Sequence, residues 1–198
     1  NPAHTGLQTW KRIRQAQQRG AKLIVVDPRR TATADAADLW ISPRPGRDGI
    51  LIMGLIRMLM VGQGYDPSYL SRYTNANWLI DRQTGEVLRD ERGEPLISPS
   101  GSPNLLLKPL EKRSASAGKR VVTVWQLLWE AVEDATPEIV ERRTGVPAGQ
   151  LQRFADMLAG IRPVCYYSWN GIEQHDNSFM TNRAICILYA LTGSLGRV

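Results

Sequence analysis

The chain has 198 residues, 42% hydrophobic and 22% charged, a balance that lets a soluble chain of this length bury a core. A formal charge of +6 favours an anionic partner, yet the basic residues lie scattered and form no stripe, so nucleic acid is not expected and a phosphate-rich small molecule fits as well. Two cysteines, Cys165 and Cys186, are too far apart for a CxxC pair and too few for a cluster framework, which leaves no sequence case for zinc or iron–sulfur in this segment.

In chain order, the first expected element is a helix from about Leu7 to Arg19, with Trp10, Ile13 and Ala16 on one face and Gly20 just past its end. Leu23-Ile24-Val25-Val26 follows, a short apolar β-branched run of the kind found in parallel strands covered on both faces. Pro28 stops it, and Thr31–Ala37 has room for one or two helical turns. Leu39-Trp40-Ile41 is a second strand, ended by Pro43-Arg44-Pro45-Gly46-Arg47-Asp48-Gly49.

Ile50–Val61 is the longest apolar run. Interrupted by Gly54 and Arg57 and too short for a bilayer, it predicts a buried helix and no direct membrane insertion. From Asn75 to about Arg120, Gly, Pro and Ser cluster, and Leu79–Leu88 around Thr84-Gly85 predicts a hairpin. This stretch reads as a peripheral insertion, with Ser98–Ser102 and Ser114–Gly118 as loops. Thr123 is a plausible N-cap for Val124–Glu133. Thr136-Pro137-Glu138 opens a helix that Gly145 closes, and Pro147–Leu158 gives another. Val164-Cys165-Tyr166-Tyr167 predicts a third strand, with Asn170–His175 at its carboxyl end, and a last helix runs from Asn177 to Leu191, capped by Gly193. The expected fold is α/β, a mainly parallel sheet with helices on both faces.

Ligands of open parallel sheets bind outside the carboxyl ends of the strands. Three such ends carry polar groups. Asp27-Pro28-Arg29-Arg30-Thr31 offers a carboxylate for ribose hydroxyls or a guanine edge, and guanidinium forks for phosphate; alternatively Asp27 caps its turn and the arginines are solvated. At Arg44–Asp48, Gly46 permits close backbone approach and helix-start amides favour an anion, unless Asp48 is simply an N-cap. Asn170–His175 combines amide, carboxylate and imidazole. With only His4 and His175 in the chain, a multi-histidine metal site would need partners, and no nucleophile–base pair or glycine-rich phosphate loop stands out.

Asn1-Pro2-Ala3-His4, Gly20-Ala21-Lys22-Leu23-Ile24-Val25-Val26-Asp27-Pro28-Arg29, Arg44-Pro45-Gly46-Arg47-Asp48, Thr136-Pro137-Glu138 with Thr144-Gly145-Val146, Gly171-Ile172-Glu173-Gln174-His175 and Leu191-Thr192-Gly193 occur in this order. Together they resemble the molybdopterin oxidoreductase superfamily of the dimethyl-sulfoxide-reductase type, over nearly the whole chain apart from residues 75–120. The resemblance implies that residues 1–198 are a single Rossmann-like domain, a fragment of a larger catalytic subunit. It also implies a bis-molybdopterin guanine dinucleotide cofactor (bis-MGD) with molybdenum or tungsten, of which this domain holds one dinucleotide.

By the same resemblance, Asp27, Pro28, Arg29, Arg30 and Thr31, with Gly46, Arg47 and Asp48, contact the nucleotide end. Asn1, Pro2, Ala3, His4 and Thr5, with Asn170, Gly171 and Gln174, lie nearer the pterin. Arg47 departs from the family's commoner Thr or Ser. The metal ligand and a 4Fe-4S cluster are expected outside the chain, before Asn1, so the fragment alone is expected to be inactive. The implied partners are the remaining domains and an iron–sulfur electron-transfer subunit, in anaerobic respiration. Thr181–Tyr189 resembles the branch with thiosulfate or polysulfide reductases and acetylene hydratase. The other reading, a nicotinamide-dinucleotide-binding Rossmann domain of a dehydrogenase, rests on Asp27 as a ribose-binding acid.

Overall fold

The computed structural model describes residues 1–98, 121–168 and 170–196. Strand β1 (Ile24–Val26) and strand β2 (Leu39–Ile41) pair in parallel, Ile24 opposite Leu39 and Val26 opposite Ile41. The crossover between them holds one short helix, α3 (Ala32–Asp35), whose cap Thr31 accepts the amide of Ala34 through its hydroxyl. Before β1 lie α1 (Pro2–Thr5) and α2 (Leu7–Gln18). Trp10, Ile13 and Ala16 of α2 share its half-buried face, and Gly20 follows at φ +96°, as its position after the helix end requires.

Helix α4 (Asp48–Val61) is the axis of the molecule. Leu51, Ile52, Leu55, Ile56, Leu59 and Met60 are all buried, so the helix is apolar around most of its circumference, as a central helix must be. Around it pack α6 (Val124–Val132), α7 (Pro137–Thr144), α8 (Ala148–Gly160) and α10 (Ser178–Leu191). One continuous buried cluster joins Leu39 and Ile41 of β2 to α4, Val140 of α7, Leu151 of α8 and Leu191 of α10. The caps read from the sequence hold: Thr123 and Thr136 accept amides of the first turns of α6 and α7, and Gly145 ends α7 at φ +78°.

Helix α5 (Pro67–Tyr73) had no counterpart in the sequence reading. In the 75–120 stretch the hairpin forms, with strand β3 (Leu79–Asp81) bridged to Val87 and Gly85 at φ +74°. The stretch is not merely peripheral, however: β3 pairs antiparallel with β4 (Val121–Thr123), and Asn77, Ile80 and Asp81 are buried. The loops expected at 99–102 and 114–118 lie outside the described residues.

The sheet expectation needs correction. Val164–Tyr167 forms no strand. The Val164 amide donates to the Ser194 hydroxyl at 3.1 Å in place of a ladder partner, and Cys165, Tyr166 and Tyr167 are exposed. Apolar, β-branched and aromatic composition suits an extended conformation, but a strand also needs a neighbour to accept its amides. The described residues therefore form a mixed α/β fold, rich in helix, with a two-stranded parallel sheet and a two-stranded antiparallel one. The wider parallel sheet with helices on both faces is not present among them. Asn170–Glu173, expected at the carboxyl end of that strand, is a short helix, α9.

Candidate functional site

Because β1 and β2 are parallel, their carboxyl ends open on one edge. At the first, the Asp27 amide donates to Ile41 O at 3.0 Å, which closes the ladder. Its carboxylate Oδ1 then accepts the Arg29 amide at 2.8 Å, an Asx turn that aims the chain away from the sheet. The Trp40 indole donates to Asp27 O at 2.9 Å and the Ser42 hydroxyl to Pro28 O at 3.1 Å, so the turns after β1 and β2 are stitched together.

At the second end, Arg44 is committed elsewhere. Its amide donates to Thr144 O at 2.8 Å and its Nη1 to Arg142 O at 3.0 Å, so the guanidinium caps the carboxyl end of α7. Gly46 follows at φ +74°, a conformation that side chains resist, and Asp48 stands in the first turn of α4. Arg47, not Asp48, is the N-cap, and no side chain there closes the helix start. The open amides of that turn and the carboxylate of Asp48 thus share the same entrance. Among the described residues, no hydrogen bond or ion pair engages the side chains of Arg29, Arg47 or Asp48.

Two further segments reach this edge. The buried Thr33 hydroxyl donates to Asn1 Oδ1 at 2.7 Å and accepts the Ala3 amide at 3.2 Å, which fastens Asn1–Thr5 to α3. A side chain at Gly6 would begin 3.7 Å from the Tyr167 hydroxyl. His175 lies against Gly46, its Nδ1 3.8 Å from where a Cβ would stand, and the Thr181 hydroxyl would be 3.2 Å from a Cβ at Gly49. Tyr166 is 42% exposed, but desolvation of the part of it that is enclosed pushes its phenol upward, and the Asp48 carboxylate nearby adds to the shift. The Tyr189 ring, 5.7 Å away and edge-on, is raised as well, chiefly by burial. Both phenols therefore stay neutral near pH 7 and set no negative charge against an anionic ligand.

The structure thus gathers Asp27–Thr31, Gly46–Asp48 and Asn1–Thr5 along one edge, and brings the segment after Tyr167 to it through His175. Asn170 and Gln174 are exposed, and Gly171 has open space around it. Sequence reasoning missed Thr33, Tyr166 and Tyr167. Nothing local marks Thr33, since its partners stand 30 and 32 residues away. An open depression of about 650 Å³ lies elsewhere, lined by Gly62, Gln63, Tyr65 and Arg162 at the far end of α4. Among the described residues no group of three His, Cys, Asp or Glu gathers as a metal donor set.

No protein-family model matches the chain. Over its whole length it is 26% identical to a sulfite dehydrogenase subunit of Allochromatium vinosum, covering 25% of that protein. Over 93% of its length it is 29% identical to dimethyl sulfoxide reductase DmsA of Escherichia coli, covering 19% of it. The solved structure of acetylene hydratase from Pelobacter acetylenicus superposes on 98% of the chain with a TM-score of 0.69 at 25% identity, over 20% of that protein. The homologues of the chain are molybdopterin oxidoreductases of the dimethyl-sulfoxide-reductase type. The chain spans about a quarter or less of the length of the relatives it matches. A formate dehydrogenase major subunit of Haemophilus influenzae, at 29%, is as similar as DmsA, so the molybdopterin oxidoreductase relatives do not single out the acetylene hydratase branch.

Proposed function

We propose that this chain is the cofactor-binding unit of a molybdenum- or tungsten-dependent oxidoreductase, a single Rossmann-like domain that holds the nucleotide end of one molybdopterin guanine dinucleotide. The observation that carries it is the edge above β1 and β2. Two adjoining turns each present one uncommitted guanidinium, Arg29 and Arg47, beside an uncommitted carboxylate, Asp48, and a left-handed glycine, Gly46. A diphosphate needs forked cations and amides; a guanine edge, with N1–H and N2–H₂ side by side, needs an acceptor-only group. That donor set fits a guanine dinucleotide.

Arg29 and Arg47 would neutralise the diphosphate, with the α4 amides. Asp48 would read guanine; cytosine lacks the paired donors, so a carboxylate discriminates against it. Asp27, with Oδ1 already held by Arg29, keeps its other oxygen for a ribose hydroxyl. Asn1–Thr5, Asn170, Gly171 and Gln174 would lie along the dinucleotide toward the pterin. When bound, the metal–pterin centre supplies two-electron redox or oxygen- or sulfur-transfer chemistry. The relatives' greater length leaves the metal ligand, a 4Fe-4S cluster, the other domains and an electron-transfer subunit to the rest of the assembly. A nicotinamide reading has no glycine-rich phosphate turn behind it, and the relatives reported above do not favour it.

The test is Asp48→Ala and Asp27→Ala in the full-length polypeptide, with guanine released per polypeptide and thermal unfolding measured together. Leaving guanine donors buried without an acceptor costs about 1–3 kcal/mol, so Asp48→Ala lowers guanine content while unfolding shifts little. Full guanine loading in both variants would end the reading.

A further inference from the structure

Arg30 stands between two candidate phosphate cations in sequence but is built differently. Its Nε donates to Asp35 Oδ1 at 2.7 Å, and its guanidinium carbon lies 5.8 Å from the centre of the Trp40 ring. Five guanidiniums lie over aromatic rings among the described residues, with Arg14, Arg57, Arg72 and Arg183 the others. Of these five, only that of Arg30 is also ion-paired among the described residues. Both of its partners are anchored at the ligand edge. Trp40 is held by its indole bond to Asp27 O, and Asp35 belongs to α3, which the buried Thr33 ties to Asn1 and Ala3.

The consequence is chemical. A guanidinium whose charge is balanced by a carboxylate is a weak extra donor for phosphate, but its plane still stacks on π-systems. Asp35 restrains the last torsions of the side chain, Trp40 lies on one side of it, and the side chain is otherwise 70% exposed. That is the form of a platform, three residues beyond Asp27.

We propose that Arg30, held by Asp35 and Trp40, is the surface on which the nucleotide base of the ligand stacks. The inference rests on the guanine-dinucleotide reading above and divides labour within it. Arg29 and Arg47 supply charge, the carboxylates read edges, and Arg30 supplies a flat face. Stacking is indifferent to the donor pattern of the base, so the platform contributes affinity and leaves discrimination to Asp48.

The experiment separates plane from charge. Arg30→Ala, Arg30→Lys and Arg30→Tyr are made in the full-length polypeptide, and guanine released per polypeptide is measured beside thermal unfolding of cofactor-free protein. Arg30 is exposed, so none of the three is expected to impair folding. Guanine content falls several-fold in the Ala and Lys variants, and Tyr restores it, because an aromatic ring replaces the plane without the charge. Retention by Lys with loss in Tyr would make Arg30 a phosphate cation and overturn the proposal. Equal loading in all three, or equal loss in all three, overturns it too. If Asp48→Ala and Asp27→Ala lower guanine content while the Arg30 variants do not, the platform alone fails; if none of these variants does, the nucleotide reading itself has failed.

Discussion

Asp38 shows how one residue ties down the strand pair whose far end carries the proposed ligand edge. Its Oδ2 accepts the Leu23 amide at 2.8 Å and its Oδ1 takes Lys22 Nζ at 3.0 Å, at the opposite end of β1 and β2 from the site. The Leu23 amide, then Lys22, hold its carboxyl below the usual carboxylate value. A carboxyl whose folded-state value is depressed contributes stability above its unfolded value, about 4, and that contribution is lost as pH falls through the folded value. Asp38→Ala should therefore destabilise at pH 7 by about 1 kcal/mol, and the gap from the parent should narrow as the pH falls below about 4. Urea unfolding at pH 7 and pH 3 measures both; a gap that persists unchanged at low pH would mean the carboxylate charge contributes nothing.

At the scale of elements, α4 and α7 meet too closely for an ordinary side chain. A Cβ on Gly54 would stand 2.5 Å from Cγ2 of Val140, itself fully buried. In an exposed helix, Gly→Ala gains about 1 kcal/mol from helix propensity. Here overpacking against Val140 outweighs that gain, because such strain costs about 1–3 kcal/mol. Gly54→Ala is expected to lower stability, and Val140→Ala in the same chain to recover part of the loss, so that the double mutant is less destabilised than the sum of the singles. Additive losses would show that the two positions do not clash. The contact bears on the site, since α7 also receives Arg44 and so helps fix the turn that presents Gly46 and Arg47.

For the whole molecule, the proposed ligand edge lies at the amino end of α4 and the open depression at its carboxyl end, about 20 Å away at 1.5 Å rise per residue. The chain spans about a quarter or less of the length of the relatives it matches, so on the proposed reading most of the cofactor's surroundings, its metal ligand included, belong to the rest of the full-length polypeptide. On that reading the isolated 198-residue chain is expected to give no molybdenum-dependent turnover with an artificial electron donor, and the full-length polypeptide is expected to give it. Turnover by the isolated chain would overturn that assignment.

The sequence by itself determined the features that local chemistry controls. Gly20, Gly145 and Gly193 mark helix ends because only glycine takes a left-handed backbone without cost, and Thr123 and Thr136 mark starts because their hydroxyls accept first-turn amides. The apolar runs at β1, β2 and α4 were legible for the same reason, and with them the turns at Asp27–Thr31 and Gly46–Asp48. Only the tertiary structure decided what depends on partners distant in the chain. Val164–Tyr167 has strand composition and no strand beside it among the described residues, and Arg44, in the same turn as Arg47, is taken up by the end of α7 while Arg47 is not. Arg29 and Arg30 are adjacent and chemically alike in the sequence, yet Asp35 and Trp40 engage one and leave the other uncommitted. A side chain's type is fixed by its own chemistry; whether its charge and its hydrogen bonds remain available is fixed by what the fold brings against it.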